Sequence, residues 1–206
     1  MRLEPAPAYI VRDLGFEPML TTWERMRTFT TERNDATPDE VWFVEHPPVF
    51  TLGLAADPSH ILDPGDIEVV QIDRGGQVTY HGPGQLVCYV LLNLRRRGLD
   101  IRGLVEALEH AVIDMVAGLG IEAYPRRDAP GVYVDGMKLA AIGLRVSRGY
   151  SYHGLAFNIA MDLSPYERIN PCGFTDLKVT QLSDLCDVGS IAEARPLFEQ
   201  ALQGRL

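Results

Sequence analysis

Cysteine is scarce in this 206-residue chain: Cys88, Cys172 and Cys186 make an odd number without any C-x-x-C pair, which argues against a disulfide framework and a zinc knuckle. Any cysteine chemistry therefore involves a free thiol. Long apolar runs are also missing. The longest uncharged apolar stretch, roughly Gln85 to Leu94, is half of a membrane span, and the start, MRLEPAPAYIV, lacks the basic-then-apolar order of a signal peptide. A cytoplasmic protein without membrane contact is expected. Positive charge is not in excess: the formal net charge of −9 repels phosphate, so no nucleic-acid partner is expected. Lysine is almost absent. Of 19 basic residues 17 are Arg, and only Lys138 and Lys178 are Lys, so a surviving lysine marks a place where a titratable amine is useful. Five scattered histidines have no metal-ligand spacing, and no metal site is expected.

What is present is the ordinary balance of a soluble globular protein, 46% hydrophobic and 23% charged, which predicts one domain over residues 1–206. Charge is uneven along it. Residues 1–73 hold 5 basic and 14 acidic side chains, whereas residues 74–148 hold 10 and 7. That middle third offers Arg95, Arg96, Arg97, Arg126, Arg127, Arg145 and Arg148 to an acidic partner, or is merely a solvated face. Apolar spacing predicts helices over 16–33 and 104–119, the second stopped by Gly120, and a last helix with Pro196 in its first turn. Strands are predicted over Val41 to Glu45, Glu68 to Ile72, Ile121 to Tyr124 and Tyr150 to Ile159. Asp135-Gly136 predicts a hairpin between Gly131 to Val134 and Lys138 to Val146. Strands clustered in the middle, with helices before, between and after them, indicate an α+β domain with a mixed, largely antiparallel sheet flanked by helices.

Four glycines within Arg74 to Gln85, RGGQVTYHGPGQ, allow backbone to come close to a ligand, or form a bulged hairpin. The company of Arg74, Gln77, Thr79, Tyr80 and His81 favours a polar pocket. The segment matches neither G-x-x-x-x-G-K-[ST] nor G-x-G-x-x-G, so a nucleotide phosphate is not indicated. His81 and His153 occupy similar Tyr-His-Gly settings, as a base with its orienting partner or as structural groups. Asn170-Pro171-Cys172-Gly173 is a turn that presents a thiol, whereas Cys88 lies in an apolar strand. A thiol with a pKa of about 8.5 needs a positive neighbour to be a thiolate at pH 7, and Lys138 is the candidate.

Five co-linear motifs resemble the lipoyl(octanoyl) transferases: Arg74 to Gln85, Ala129 to Val134 with Lys138, Leu139 to Arg145, His153 to Asn158, and Asn170 to Gly173. That family is similar in fold to biotin and lipoate protein ligases. The resemblance implies transfer of an octanoyl group from acyl carrier protein to a lysine of lipoyl domains in 2-oxoacid dehydrogenase complexes and of the glycine cleavage H protein. It assigns Cys172 as acyl-thioester nucleophile and Lys138 as its activator. Substrate would be bound by Arg74, Gly75, Gly76, Gln77, Val78, Thr79, Tyr80, His81, Ala141, Ile142, Gly143, Gly154, Leu155 and Ala156. Thioester exchange needs no nucleotide and no cofactor, and a monomer suffices. Backbone N–H groups of the Gly-Gly and Gly-Leu-Ala segments are the expected oxyanion donors. The alternatives are an ATP-dependent lipoate or biotin ligase and a non-catalytic acyl or lipoyl-domain binder.

Overall fold

The computed structural model describes residues 9–206, with the side chain of Cys172 outside the described set. The uncharged run after the glycine-rich segment forms β6 (Gln85–Leu91), which lies between β2 (Asp39–Glu45) and β10 (Tyr150–Asn158). Leu86, Cys88 and Val90 enter one hydrophobic layer, while Val87, Tyr89 and Leu91 enter another. Both faces of this strand are covered, and for that reason it reads as an unbroken apolar run rather than an alternation.

The main sheet has seven strands in the order β1 (Tyr9–Phe16), β2, β6, β10, β9 (Met137–Ser147), β8 (Gly131–Val134) and β7 (Tyr124–Pro125). β1 and β2 are parallel and every other neighbouring pair is antiparallel. After the one-turn helix α2 (Leu94–Arg97), helices α3 (Ile101–Ala117) and α4 (Ile191–Gln203) cover one face through Leu104, Leu108, Val112, Phe198 and Leu202. Helix α1 (Met19–Glu32) covers part of the other with Met26, beside Trp23 and Phe29. The rest of that face meets a second sheet that was not anticipated, β4 (Glu68–Gln71), β3 (Val49–Leu52) and β5 (Val78–His81). The strand expected over Glu68 to Ile72 is β4, but β3 is too short to carry a period and β5 is hidden inside the glycine-rich segment.

The expected α+β class with a mixed, largely antiparallel sheet holds. Several boundaries differ, each for a local reason. Helix α3 ends at Ala117, and only then comes Gly120 with φ +80°. Ile121 to Ala123 pair with nothing in the sheet, so the expected strand shrinks to Tyr124–Pro125. The last helix starts at Ile191 rather than near Pro196, because Ser190 caps it: Glu193 N–H donates to Ser190 Oγ, and Glu193 Oε2 accepts from the Ser190 hydroxyl and from Gly189 N–H. Asp135 and Gly136, with φ of 49° and 81°, make the predicted hairpin turn between β8 and β9.

Candidate active site

A cleft of about 530 Å³, part of it open to solvent, lies between the helix α1 side of the main sheet and the crossing segment 74–79. It unites Arg74 to Thr79 and His81 with Ala141 to Gly143 and Gly154 to Ala156, all the expected substrate-binding positions but one. The exception is Tyr80. Along β5 alternate side chains face opposite ways, so the Tyr80 ring packs between Phe50 and Tyr166, with centroids 5.5 and 5.6 Å away. Met19, Ile72, Val87 and Tyr89 supply apolar wall, and small residues keep the space open.

Glycine is required where the roof touches the floor. Gly75 N–H donates to Leu144 O at 3.0 Å, and a Cβ on Gly143 would stand 3.0 Å from Gly75 O and 3.2 Å from Arg74 Cδ. Close approach of backbone to backbone is what the two glycines permit. The same contacts narrow the expected oxyanion donors. Gly75 N–H is already used, and Gly154 to Ala156 sit in register with β6 on one side and β9 on the other, so ladder pairing takes up their backbone groups.

Polar groups line one side of the cleft as a directed chain. Arg74 donates from Nε and Nη2 to Thr51 Oγ1 at 3.1 and 2.8 Å. With its lone pairs taken, Thr51 Oγ1 donates its own hydrogen to His81 Nε2 at 3.3 Å, which fixes the tautomer in which His81 Nδ1–H donates to Gln85 Oε1 at 2.7 Å. Gln85 Nε2 donates to Asn158 Oδ1 at 2.9 Å, and Asn158 Nδ2 to Thr180 O at 3.0 Å. Burial, with the nearby His46 and the Arg74 guanidinium adding to it, keeps His81 well below the usual histidine range and therefore neutral.

Sequence reasoning passed over three residues here: Tyr89, which lines the cleft, and His46 and Asp73, which hydrogen-bond the lining residues Tyr89 and His153. His46 Nδ1–H donates to Glu17 O at 2.6 Å and its Nε2 accepts from Tyr89 Oη at 2.8 Å; burial lowers this imidazole to about 4. Asp73 opposes its own burial with three donors, His153 Nε2, Tyr152 Oη and Trp23 Nε1, which together hold the carboxyl well below the usual range. His153 has φ +60°, a sparsely populated conformation for a residue with a side chain. Successive strand residues point to opposite faces, yet Tyr152 and His153 both reach Asp73, and the left-handed backbone makes that possible. The signal that could have found Asp73 was its place immediately before Arg74.

Lys138 is buried at the start of β9, where its Nζ donates to Pro130 O at 3.3 Å and lies 5.3 Å from the Tyr133 ring centre. The returning chain clamps its backbone: Lys138 N–H donates to Lys178 O at 2.8 Å and Thr180 N–H to Lys138 O at 3.0 Å. That returning chain follows the short 3-10 turn Pro171–Gly173, which carries Cys172. The nucleophile assigned to Cys172 has its side chain outside the described set, but the backbone of its turn is anchored. Asn170 N–H donates to His60 O at 2.8 Å, and a Cβ on Gly173 (φ +80°) would lie 3.5 Å from Gln77, a cleft residue. Cys88 is fully buried and burial drives its thiol far above the usual range, which suits core packing.

The arginines of the middle third are mostly not free for a partner. Arg96 and Arg97 clamp buried Asp39, Arg148 donates to Thr30 O and Thr31 O, and Arg126 pairs with Asp128. No helix among the described residues is long and apolar enough to cross a membrane, and no cluster of three or more potential metal ligands occurs among them.

Comparison with known proteins fits this geometry. The description "lipoyl protein ligase A/B catalytic domain" matches residues 18–203. The octanoyltransferase of Alkalilimnicola ehrlichii is 61% identical over 175 residues, 85% of this chain and 81% of that protein. That of Ectopseudomonas mendocina is 54% identical over 201 residues, 97% of this chain and 98% of the relative. Among solved structures, lipoate-protein ligase A bound with ATP superposes with a TM-score of 0.78 at 17% identity, over 96% of this chain and 85% of that one. The bi-partite lipoate protein ligase of Thermoplasma acidophilum gives 0.77 at 18% identity, over 97% and 84%. At such identities the two structures bear on the fold alone.

Proposed function

Since this chain belongs to the lipoyl protein ligase A/B catalytic family and is an acyltransferase of the octanoyltransferase kind, we propose that it works through a covalent enzyme thioester on Cys172. The donor is octanoyl-acyl carrier protein, and the acceptors are the lysine of lipoyl domains in 2-oxoacid dehydrogenase complexes and of the glycine cleavage H protein. In the first half-reaction the Cys172 thiolate attacks the carbonyl carbon of the donor thioester, and the carrier's thiolate leaves as a thiol with the proton of the Lys138 ammonium, so Lys138 becomes an amine. In the second, the acceptor's neutral amine attacks the Cys172 thioester, the C–S bond breaks, and the proton of the new ammonium passes to Lys138. One thioester replaces another, and an amide then replaces a thioester, so the sequence runs downhill without nucleotide. Lys138 has two roles in it, holding the thiolate as an ammonium and taking a proton as an amine.

The observation that carries this reading is the cleft itself: a narrow apolar space walled by Ala141, Gly143, Gly154 and Ala156, with Gln77 linking it to the turn of Cys172. A linear eight-carbon chain suits such a space. Intact-mass measurement after incubation with octanoyl-acyl carrier protein is expected to find one added octanoyl group on the wild type and on Cys88→Ala, and no thioester on Cys172→Ser. Label that survives Cys172→Ala and disappears in Cys88→Ala overturns the assignment. Transfer to a lipoyl domain is expected without ATP and magnesium; dependence on both makes the protein a ligase.

A further inference from the structure

A buried acid stands behind Lys138. Glu109, on helix α3, is 5% exposed, and its Oε1 accepts the N–H of Gly131 at 2.9 Å. The N–H of Gly131 and the carbonyl of Pro130 belong to one peptide group. The carbonyl of that same peptide accepts from Lys138 Nζ at 3.3 Å. Glu109 and Lys138 therefore grip the two ends of a single amide plane. Gly131 makes the arrangement possible: its φ of +142° suits glycine, and a Cβ there would stand 2.3 Å from Ala140 O and 3.3 Å from Lys138 Cε.

We propose that Glu109 is a positioning residue for Lys138, acting through the Pro130–Gly131 peptide: its carboxylate fixes the plane and polarises the carbonyl that holds the amine. The role rests on the reading of Lys138 as partner of Cys172. Hydrogen bonds in series strengthen one another, so a charged acceptor on the N–H makes the carbonyl a better acceptor for an ammonium. Charge acts in the same direction through space. The titratable groups around Glu109 are Glu106 and His110 on its own helix and Lys138 from β9, while Asp128 and the ring of Tyr133 also lie near Lys138.

Stability does not account for an acid in this place. Burial raises the Glu109 carboxyl, against the pull of Gly131 N–H, His110 and Lys138. A carboxyl raised on folding contributes stability that is present below its unfolded value and lost as pH rises through the folded one. The ionised acid thus works against the fold at neutral pH, and Glu109→Gln is expected to melt no lower than wild type.

The chain has two lysines, so protein labelled with [ε-13C]lysine gives two titrating signals, and Lys178→Arg assigns them. In Cys172→Ser, where no thiol shares the titration, adding Glu109→Gln is expected to lower the midpoint of the Lys138 signal by about half a pH unit or more. Glu106→Gln, on the same helix, is the control and leaves it in place. In the active protein, Glu109→Ala is expected to lower kcat by about tenfold with little change in KM for the lipoyl domain, and Glu109→Gln, which keeps an acceptor for Gly131, to lose less. An unmoved lysine midpoint in Glu109→Gln, or wild-type kcat in Glu109→Ala, overturns the proposal. Failure of the underlying dyad is told apart by Lys138→Met: a pH profile of Cys172 alkylation unchanged by that substitution removes the dyad, whatever Glu109 does.

Discussion

Three imidazoles, His46, His81 and His153, are buried around one cleft, and burial lowers all three. An unfolded histidine takes up its proton below about pH 6.5. A depressed folded value means that stability is complete above that pH and is lost as pH falls toward the folded value, about 4 for His46. The difference for His46 alone corresponds to about 3 kcal/mol. Unfolding free energy, measured by denaturant titration, is expected to fall between pH 6.5 and 4.5 in the wild type and to fall less in His46→Gln. An equal slope in the two proteins means that His46 is not held neutral. Lys138 poses the opposite question, what a buried amine does that a guanidinium cannot. Arginine supplies charge but no base, since its pKa lies above 12. Lys138→Arg is expected to keep much of the Cys172 reactivity toward a small alkylating agent near pH 7 and to lose most transfer to a lipoyl domain. Lys138→Met is expected to lose both, with its alkylation profile moved to higher pH. Near-normal transfer by Lys138→Arg would mean that charge suffices.

Strands β9 and β10 carry glycines for two different reasons, and substitution separates them. A Cβ on Gly154 would stand 2.0 Å from Cys88 O, a backbone atom of the neighbouring central strand that has nowhere to go. Gly154→Ala is expected to disrupt the β6–β10 pairing and give little folded protein. A Cβ on Gly143 meets Gly75 O at 3.0 Å and Arg74 Cδ at 3.2 Å, in a crossing segment that can lift by a few tenths of an ångström. Gly143→Ala is expected to fold, with a cost of about 1–3 kcal/mol, and to lose transfer because the lifted segment carries Arg74 out of register with the cleft. Melting temperature and transfer rate, measured together, distinguish a fold glycine from a site glycine. A wild-type rate in Gly143→Ala would show that the roof does not shape the site.

Across the whole molecule, Asp39 at the start of β2 ties the end of helix α1 to the segment that follows β6 and, through Arg97, to Leu206. Its buried carboxylate accepts from Asn93 N–H at 2.7 Å, Arg33 at 2.8 Å, and Arg96 and Arg97 at 2.6 Å each, and Arg97 also donates to Leu206 O. Burial opposes the charge on Asp39, but these donors win and hold the carboxyl low. Arg33 is fully buried, and without the carboxylate its charge is left unpaired inside. Asp39→Asn is therefore expected to cost about 3–5 kcal/mol, read as a lower denaturation midpoint. A change below about 1 kcal/mol would mean that water reaches the cluster.

The apolar runs of β2, β6 and α3, the Asp135-Gly136 turn and the α+β class were legible in the sequence, because local spacing and turn chemistry determine them without distant partners. Arg74 and His81 were legible as residues of one cleft, through the glycine-rich motif that carries them. Only the tertiary structure decided what those residues meet. β3 and β5 are strands because they pair with each other, and Tyr80 faces away from the cleft through the alternation that this pairing imposes. Gly75 and Gly154 lose their N–H groups to Leu144 and to the ladder. His46, Asp73 and Glu109 lie 35, 80 and 29 residues from the groups that the fold brings near them, His81, His153 and Lys138. A single peptide plane shared between an acid and a lysine leaves no trace in spacing, since it depends on a helix packed against a hairpin.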